Sequence, residues 1–321
     1  MGQDNSLNPQ FPSAPADSNY IEDYTEKITG RLYLLFQNAT FVLNPDQGAK
    51  IVYKPNVNIR MGIAGFWKWF GLGLSIENPF VKWSTDKYGR TSFVDLRINA
   101  FGRALAAEIF LQNFKGFYIF NAIKKDGTRY LLPEMSSFSL GVSTYWIYNA
   151  RRFSIRAAFI QNERQIKSAG SIIIRPSILF SRILSPSGII PQEIVDEANI
   201  PVTDRVVNAD MYSFGLSPGY SYTFVFLKNL YLTINLFAGV FWQYYSYNTK
   251  TNDFIADEFS FQLNGLFAFG YNSDKWFVGC SVQGSPTDFP DNPSNTFFNY
   301  DVAQYRIWGG TRFNWFRKKK K

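Results

Sequence analysis

A closed antiparallel transmembrane β-barrel of about 12 strands is the fold class this sequence predicts. Three observations point there. Long runs alternate with a period of two and carry one wholly apolar face. The other face is rich in small and polar residues. Aromatic residues gather beside short turns.

The clearest run is Asn229 to Thr249. It has no charge and, at 21 residues, could cross a bilayer as a helix. Its period is that of a strand. Leu230, Leu232, Ile234, Leu236, Ala238, Val240, Trp242 and Tyr244 share one face, and Tyr231, Thr233, Asn235, Phe237, Gly239, Phe241, Gln243 and Tyr245 form a mixed one. The segments Tyr212 to Phe226, Phe259 to Tyr271 and Val94 to Ala100 repeat the pattern. A soluble sandwich would cover its outside with charges. Here the non-apolar face is mostly Gly, Ser, Thr, Asn and Gln, which suits a confined interior with aromatics turned to lipid. Runs of about 15 residues also exceed the usual strand of five or six. Open sheet edges do not survive in hydrocarbon, so the sheet must close.

The elements follow in order. Residues 1–20 are polar and proline-rich and predict a disordered leader. No charged stretch followed by an apolar one opens the chain, so the expected form is the mature one. The barrel is expected over residues 21–316, with a basic tail at 317–321. Short connections are read at Phe66 to Trp69, Gly102-Arg103, Asn149 to Arg151, Lys228-Asn229 and Asn272 to Asp274. Long ones are read at Asn44 to Ala49, Asn78 to Arg90, Asn121 to Met135, Leu184 to Asn208, Ser246 to Asp257 and Ser285 to Asn299. They alternate along the chain, which gives twelve strands with both ends of the wall at the short-turn side. Trp67, Trp69, Trp146, Tyr148, Trp276 and Trp315 stand beside short turns or at the last strand's end and mark one membrane boundary. One polar stretch, Gln161 to Ser168, disturbs the pattern. Phe153 to Ile183 is therefore read as one up-going element, interrupted there. Glu163, Arg164, Gln165 and Lys167 then form either a plug inside the lumen or an excursion outside it.

With the apolar face outward, the lumen or constriction candidates are Lys54, Arg60, Glu77, Asp95, Arg97, Glu108, Arg156, Arg175, Arg306 and Arg312. Asn56, Asn99, Gln112, Asn235, Gln243, Gln262, Asn264 and Gln283 join them. Both signs occur, with arginine in excess. Opposed charges could tie together the walls of a narrow lumen. Alternatively, a basic constriction would favour anions.

Composition removes much else. The 321 residues are 46% hydrophobic, 18% aromatic and 18% charged, with one Cys, no His and a net charge of +8. Without His there is no Ser-His-Asp or Cys-His catalysis and no His-based zinc site. One Cys excludes an internal disulfide. No Gly-rich phosphate loop opens a helix. The loop acids Asp253, Asp257 and Glu258, or Asp288 and Asp291, lack the spacing of a calcium loop. No metal or cofactor is expected. The basic residues are scattered, so nucleic acid is not an expected partner. Cys280 shares the outward face with Trp276, Val278 and Val282 and should meet lipid.

Four segments resemble a known family in order and spacing: Tyr53-Lys54-Pro55-Asn56, Lys115-Gly116-Phe117-Tyr118, Asn162 to Ser171, and Gly219 to Phe224. The chain resembles, over roughly Tyr20 to Phe316, the Bacteroidota outer-membrane barrels grouped as domain of unknown function 4421. The resemblance implies an outer-membrane location and brings no established activity or functional residues.

Two functions are expected from this. One is a narrow passive pore or small-solute channel with an Arg-rich, mixed-charge lumen. The other is a non-transporting outer-membrane scaffold or complex subunit with a filled lumen. An enzyme working without His is a remote third. Expected partners are membrane lipid, lipopolysaccharide and, for the scaffold, another outer-membrane protein.

Overall fold

The structure, a computed structural model, describes residues 15–44, 51–56, 59–78, 80, 84–194, 206–249, 253–289 and 297–314. Along the chain run β1 (Ile21–Asp23), β2 (Ile28–Asn44), β3 (Ile51–Pro55), β4 (Ile59–Trp67) and β5 (Phe70–Glu77), then α1 (Thr85–Tyr88). There follow β6 (Ser92–Phe101), β7 (Leu105–Ile123), β8 (Arg129–Ile147), α2 (Ile155–Phe159), β9 (Glu163–Gln165) and β10 (Ala169–Leu184). The last five are β11 (Val206–Phe226), β12 (Leu230–Thr249), β13 (Asp253–Asn272), β14 (Trp276–Phe289) and β15 (Phe297–Phe313).

Twelve strands close an antiparallel barrel: β2, β4 to β8 and β10 to β15, with β15 returning to β2. The closing ladder runs from Phe297↔Asn44 to Phe313↔Ile28. The outward faces are apolar because their surroundings are. Leu32, Ile63, Leu72, Ile172, Leu216, Leu236 and Phe261 are all exposed. Two aromatic girdles bound this band. At the short-turn end, which we call the floor, Trp67, Trp69, Trp146, Tyr148 and Trp276 are exposed. Higher up, Phe138, Phe180, Tyr212 and Tyr244 pass ring contacts from strand to strand, at centroid separations of 6.1, 4.9 and 6.2 Å. Trp315 and the basic tail lie outside the described residues.

The wall changes width along its axis. β3 pairs with β2 through Phe41↔Tyr53 and with β7 through Tyr53↔Ile119, above the ends of β4, β5 and β6. One strand thus replaces three, and the ring narrows toward the mouth. Several connections read as long loops are continuous strand instead. β7 runs to Ile123 and β8 starts at Arg129, while β12 runs to Thr249 and β13 starts at Asp253.

The interior is less polar than the alternation suggested. Aromatic rings point inward where a glycine faces them on the next strand. Tyr33 faces Gly62, Phe110 faces Gly141, Phe237 faces Gly219, Phe241 faces Gly215 and Phe277 faces Gly310. A Cβ at any of these glycines would lie 2.0 to 2.3 Å from the ring, so the missing side chain makes room for the aromatic one. Two buried apolar layers result. The upper holds Phe41, Tyr53, Phe114, Ile119, Met135, Met211 and Tyr245, together with Ile189 and Ile190 from the segment after β10. The lower holds Tyr33, Phe66, Phe101, Ile147, Phe153, Ile155, Phe277 and Trp308.

The up-going element expected from Phe153 to Ile183 is not one strand. β8 pairs directly with β10, from Ile147↔Ile173 to Ser136↔Leu184. Residues 148–168 leave the wall and fold back beneath it as a plug containing α2 and β9. The N-terminal segment joins this plug: β1 pairs with β9 over three rungs, Ile21↔Gln165 to Asp23↔Glu163. Asp17 N–H donates to the Arg151 carbonyl at 2.9 Å, and Tyr20 accepts from Ile166 N–H at 2.7 Å. Residues 15–20 of the leader expected over 1–20 thus join the plug, and residues 1–14 lie outside the described residues.

Candidate functional site

The site is a polar chamber between the two apolar layers, with the plug as its floor. The plug is built around Glu163, which is 1% exposed. Its carboxylate accepts from Arg103 at 3.0 Å, Arg156 at 3.1 Å and the Ser154 hydroxyl at 2.6 Å. Ser154 also caps α2, its oxygen accepting from Ala157 N–H at 2.9 Å. Two guanidiniums on one buried carboxylate, with a hydroxyl besides, satisfy the desolvated charge.

The neighbouring polar side chains serve backbone groups that the surrounding turns leave open. Asn162 donates to the Lys68 carbonyl at 2.9 Å, and Asn272 donates to the Glu163 carbonyl at 3.0 Å. Gln161 turns the chain from α2 into β9 with φ of 54°, and its carbonyl accepts from Arg312 Nε at 2.7 Å. Gln165 donates to the carbonyls of Arg152 and Lys167 at 2.5 and 2.9 Å. Arg164 pairs with Glu22 on β1 and donates to Asn229 at 2.7 Å. Lys167 is exposed, its ammonium 5.6 Å from the Tyr20 ring centre. The polar run at 161–168 is thus a plug and not an outer loop.

Above the plug lies a cavity of about 170 Å³. Arg97, Glu108, Gln112, Arg175, Gln262 and Gln283 line it, with hydroxyls from Ser139, Ser143, Ser177, Ser181 and Ser213 and rings from Phe110, Tyr145 and Phe241. A smaller cavity of about 40 Å³ is shared by Arg31, Arg306, Phe159, Gln283 and Gln304. The serines answer one another across the seam of β8 and β10, Ser139 with Ser181 at 3.0 Å and Ser143 with Ser177 at 2.9 Å.

Charge in the chamber is unequal. Asp95 is buried 3.3 Å from Arg97 and 3.9 Å from Arg60, and Gln112 donates to it at 3.2 Å. Glu108 pairs with Arg97 at 3.0 Å. The Arg60 guanidinium also sits 3.5 Å from the Phe93 ring centre, under the upper apolar layer. Arg31 is held by the plug, donating to the Phe159 carbonyl at 2.7 Å and Gln161 at 3.2 Å. Arg175 and Arg306 form no ion pair among the described residues. Their guanidiniums rest on Phe237 at 4.7 Å and Tyr33 at 5.2 Å.

The structure therefore sorts the ten expected lumen residues. Arg97, Glu108 and Arg175 line the main cavity, and Arg306 lines the smaller one beside it. Arg60 and Asp95 stand just above. Arg156 belongs to the plug, and Arg312 reaches it from β15 of the wall. Lys54 is a correction. Ile51, Tyr53 and Pro55 are the buried face of β3, so Lys54 points outward, its ammonium 3.9 Å from the Phe120 ring centre. Glu77 is also outside the chamber, exposed at the end of β5. Sequence reading missed Arg31, whose inward neighbours Tyr33 and Leu35 hide the polar face of that strand. It also missed Arg103, which sits in a turn.

A family model described as Domain of unknown function (DUF4421) matches residues 15–313. The chain belongs to this family. No curated protein matches the chain. Among solved structures, this DUF4421 protein is similar to the toluene transporter TodX of P. putida (7% identity, 91% of each chain, TM-score 0.32). It is also similar to OmpT of Vibrio cholerae (9% identity, 89% of this chain and 98% of that one, TM-score 0.35). A third is the outer membrane protease OmpT of Escherichia coli (7% identity, 90% and 96%, TM-score 0.33). No activity is carried over from these neighbours.

Proposed function

We propose that this DUF4421 protein sits in the bacterial outer membrane and takes a small anionic group into its basic chamber, as a narrow channel shut in the state described. One observation carries the reading. Both chamber carboxylates, Asp95 and Glu108, are already matched by Arg60 and Arg97, whereas Arg175 and Arg306 are not matched by any described carboxylate. A low-dielectric cavity with surplus guanidinium charge favours an anion, as rings of arginine do in pores. An always-open pore is not favoured, because apolar layers and the plug fill the lumen above and below.

The test is conductance in planar bilayers. A variant with residues 150–167 replaced by a short Gly-Ser turn, and with Ile189 and Ile190 changed to Gly, should carry anion-selective current. Adding Arg175→Gln and Arg306→Gln should remove the selectivity. Leak-level current in the opened variant would sink the channel. The filled lumen would then favour the second reading, a non-transporting scaffold whose loops or floor hold another outer-membrane protein. Neither reading involves catalysis.

A further inference from the structure

One side of the outer surface turns basic above the upper girdle. β3, the top of β7, the start of β8 and the segment around α1 build it. Tyr53, Phe117, Ile119 and Tyr130 fill the upper apolar layer inside. Their chain neighbours Lys54, Tyr118, Phe120 and Arg129 therefore face outward. Lys115 is exposed on the same outer face, two residues above Asn113, whose partner is the girdle ring Phe138. Below that rung the outer face of β7 and β8 is apolar, with Ile109, Leu140 and Val142 exposed. The change from apolar to basic marks the passage from hydrocarbon to headgroups.

Local structure fixes the patch. Gly116 has φ of 97°, and a Cβ there would lie 2.2 Å from the Arg90 carbonyl oxygen. Thr91 donates to the Gly116 carbonyl at 2.6 Å and accepts from Asn56 N–H at 2.8 Å. Asn56 donates to the Gly89 carbonyl at 2.7 Å. These bonds lay the segment after α1 on the outside of β7, where Tyr88 covers Tyr118 with ring centres 5.0 Å apart. Two cations share the next ring. The Lys54 ammonium stands 3.9 Å and the Arg129 guanidinium 5.5 Å from the centre of Phe120. Arg129 also donates to the carbonyls of Ile119 and Phe120. Lys87 and Arg90 flank Tyr88 and are exposed.

These charges are not answered within the protein. Lys54, Lys87, Arg90, Lys115 and Arg129 form no ion pair among the described residues. Asp86 is the acid of α1. Asp126, in the turn after β7, accepts from Thr128 N–H and hydroxyl at 2.9 and 2.6 Å. Glu134 accepts from Ser187 at 3.2 Å. Arg182, the partner of Phe138 on β10, is treated differently: Asp210 holds it through two bonds of 2.6 and 2.8 Å.

We propose that this patch binds the phosphate of a membrane lipid in the outer leaflet. The phosphate meets Lys54, Lys115 and the fixed guanidinium of Arg129, and the acyl chains descend past Ile109 and Val142. Short turns face the periplasm in barrels of this kind, which sets the patch at the outer leaflet. A lipid suits it because the unmatched cations stand directly above an apolar face on the same strands. The held cations lose little freedom on binding, and charge-assisted bonds to phosphate are the strong ones. This inference rests on the membrane location proposed above and is independent of the chamber.

The experiment titrates the full protein, in a non-ionic detergent, with bisphosphorylated lipid A and counts bound lipid by native mass spectrometry. A single retained lipid is expected, and dephosphorylated lipid A should bind at least about tenfold more weakly. Lys54→Gln, Lys87→Gln and Lys115→Gln together should weaken binding about a hundredfold, roughly fivefold for each charge. Lys228→Gln with Lys275→Gln, at the floor, should leave it unchanged. Heat-modifiable gel mobility checks that each barrel is folded. Equal binding of the two lipids would overturn the proposal, as would a triple variant that binds like wild type or floor variants that lose as much. Displacement of the lipid by an equal concentration of inorganic phosphate would make this a free-anion site and overturn the lipid. Flotation with phosphatidylcholine vesicles separates the two readings. A protein that floats without preferring lipid A loses the patch alone, and one that does not float loses the membrane location as well.

Discussion

The ring of Phe241 occupies the space where Gly215, its partner on the next strand, would carry a side chain: a Cβ there would lie 2.0 Å from the ring. Phe241 is also a wall of the chamber. Gly215→Val should push the ring off its strand and cost about 1–3 kcal/mol through overpacking. Urea unfolding of the refolded barrel measures this. Gly215→Val combined with Phe241→Ala should recover part of the loss. An unchanged midpoint in the single variant would mean the ring has another place to go.

Glu163 holds the plug through two arginines and a serine. Glu163→Gln leaves the buried Arg156 without its anion and Arg103 with Asp23 alone. A loss of about 3 kcal/mol follows, or roughly a hundredfold drop in amide protection over 153–168. Hydrogen exchange should show it there and not in β10 to β12. Protection lost equally across the wall would mean that plug and barrel open as one unit.

Leu236 faces lipid halfway along β12, 55% exposed, opposite Tyr220 and Gly265. Leu236→Arg should destabilise the barrel by about 2–4 kcal/mol, the cost of a cation near the bilayer midplane. Lys228→Ala, in a floor turn, should be nearly neutral. Equal effects in unfolding experiments on vesicles would place the bilayer elsewhere along the wall.

Cys280 is exposed on the outward face of β14, between Val278 and Val282 and opposite Phe269. In vesicles a membrane-impermeant thiol reagent should leave it unmodified, and a lipid-soluble maleimide should label it. Rapid labelling by the impermeant reagent would mean that β14 borders water.

The wall was legible because lipid imposes a simple rule on each strand's outer face. Leu230 to Tyr244 obey it without exception, and the number of wall strands follows from the alternation of short and long connections. The interior obeys no rule that local. Tyr33 and Phe241 point inward because glycines face them on other strands, a relation invisible within either run. Arg31 went unseen for the same reason. Lys54 turns outward because β3 is a separate short strand with Ile51, Tyr53 and Pro55 on its buried face. The plug announced itself only as polarity in the wrong place. Its side chains are spent on carbonyls of Lys68, Phe101 and Arg152, which lie far apart in the sequence.

The ring is closed by the first and last strands of the wall, β2 with β15, while the plug comes from the middle of the chain. Such an object has an assembly order. Residues 148–168 lie between β8 and β10, well before β15, the strand whose Arg312 completes the plug's contacts. The N-terminal strand that pairs with β9 precedes β2 and can arrive last, like a cork fitted after the bottle is filled. A chain whose plug stays outside would have Glu163 in water and no floor to its chamber.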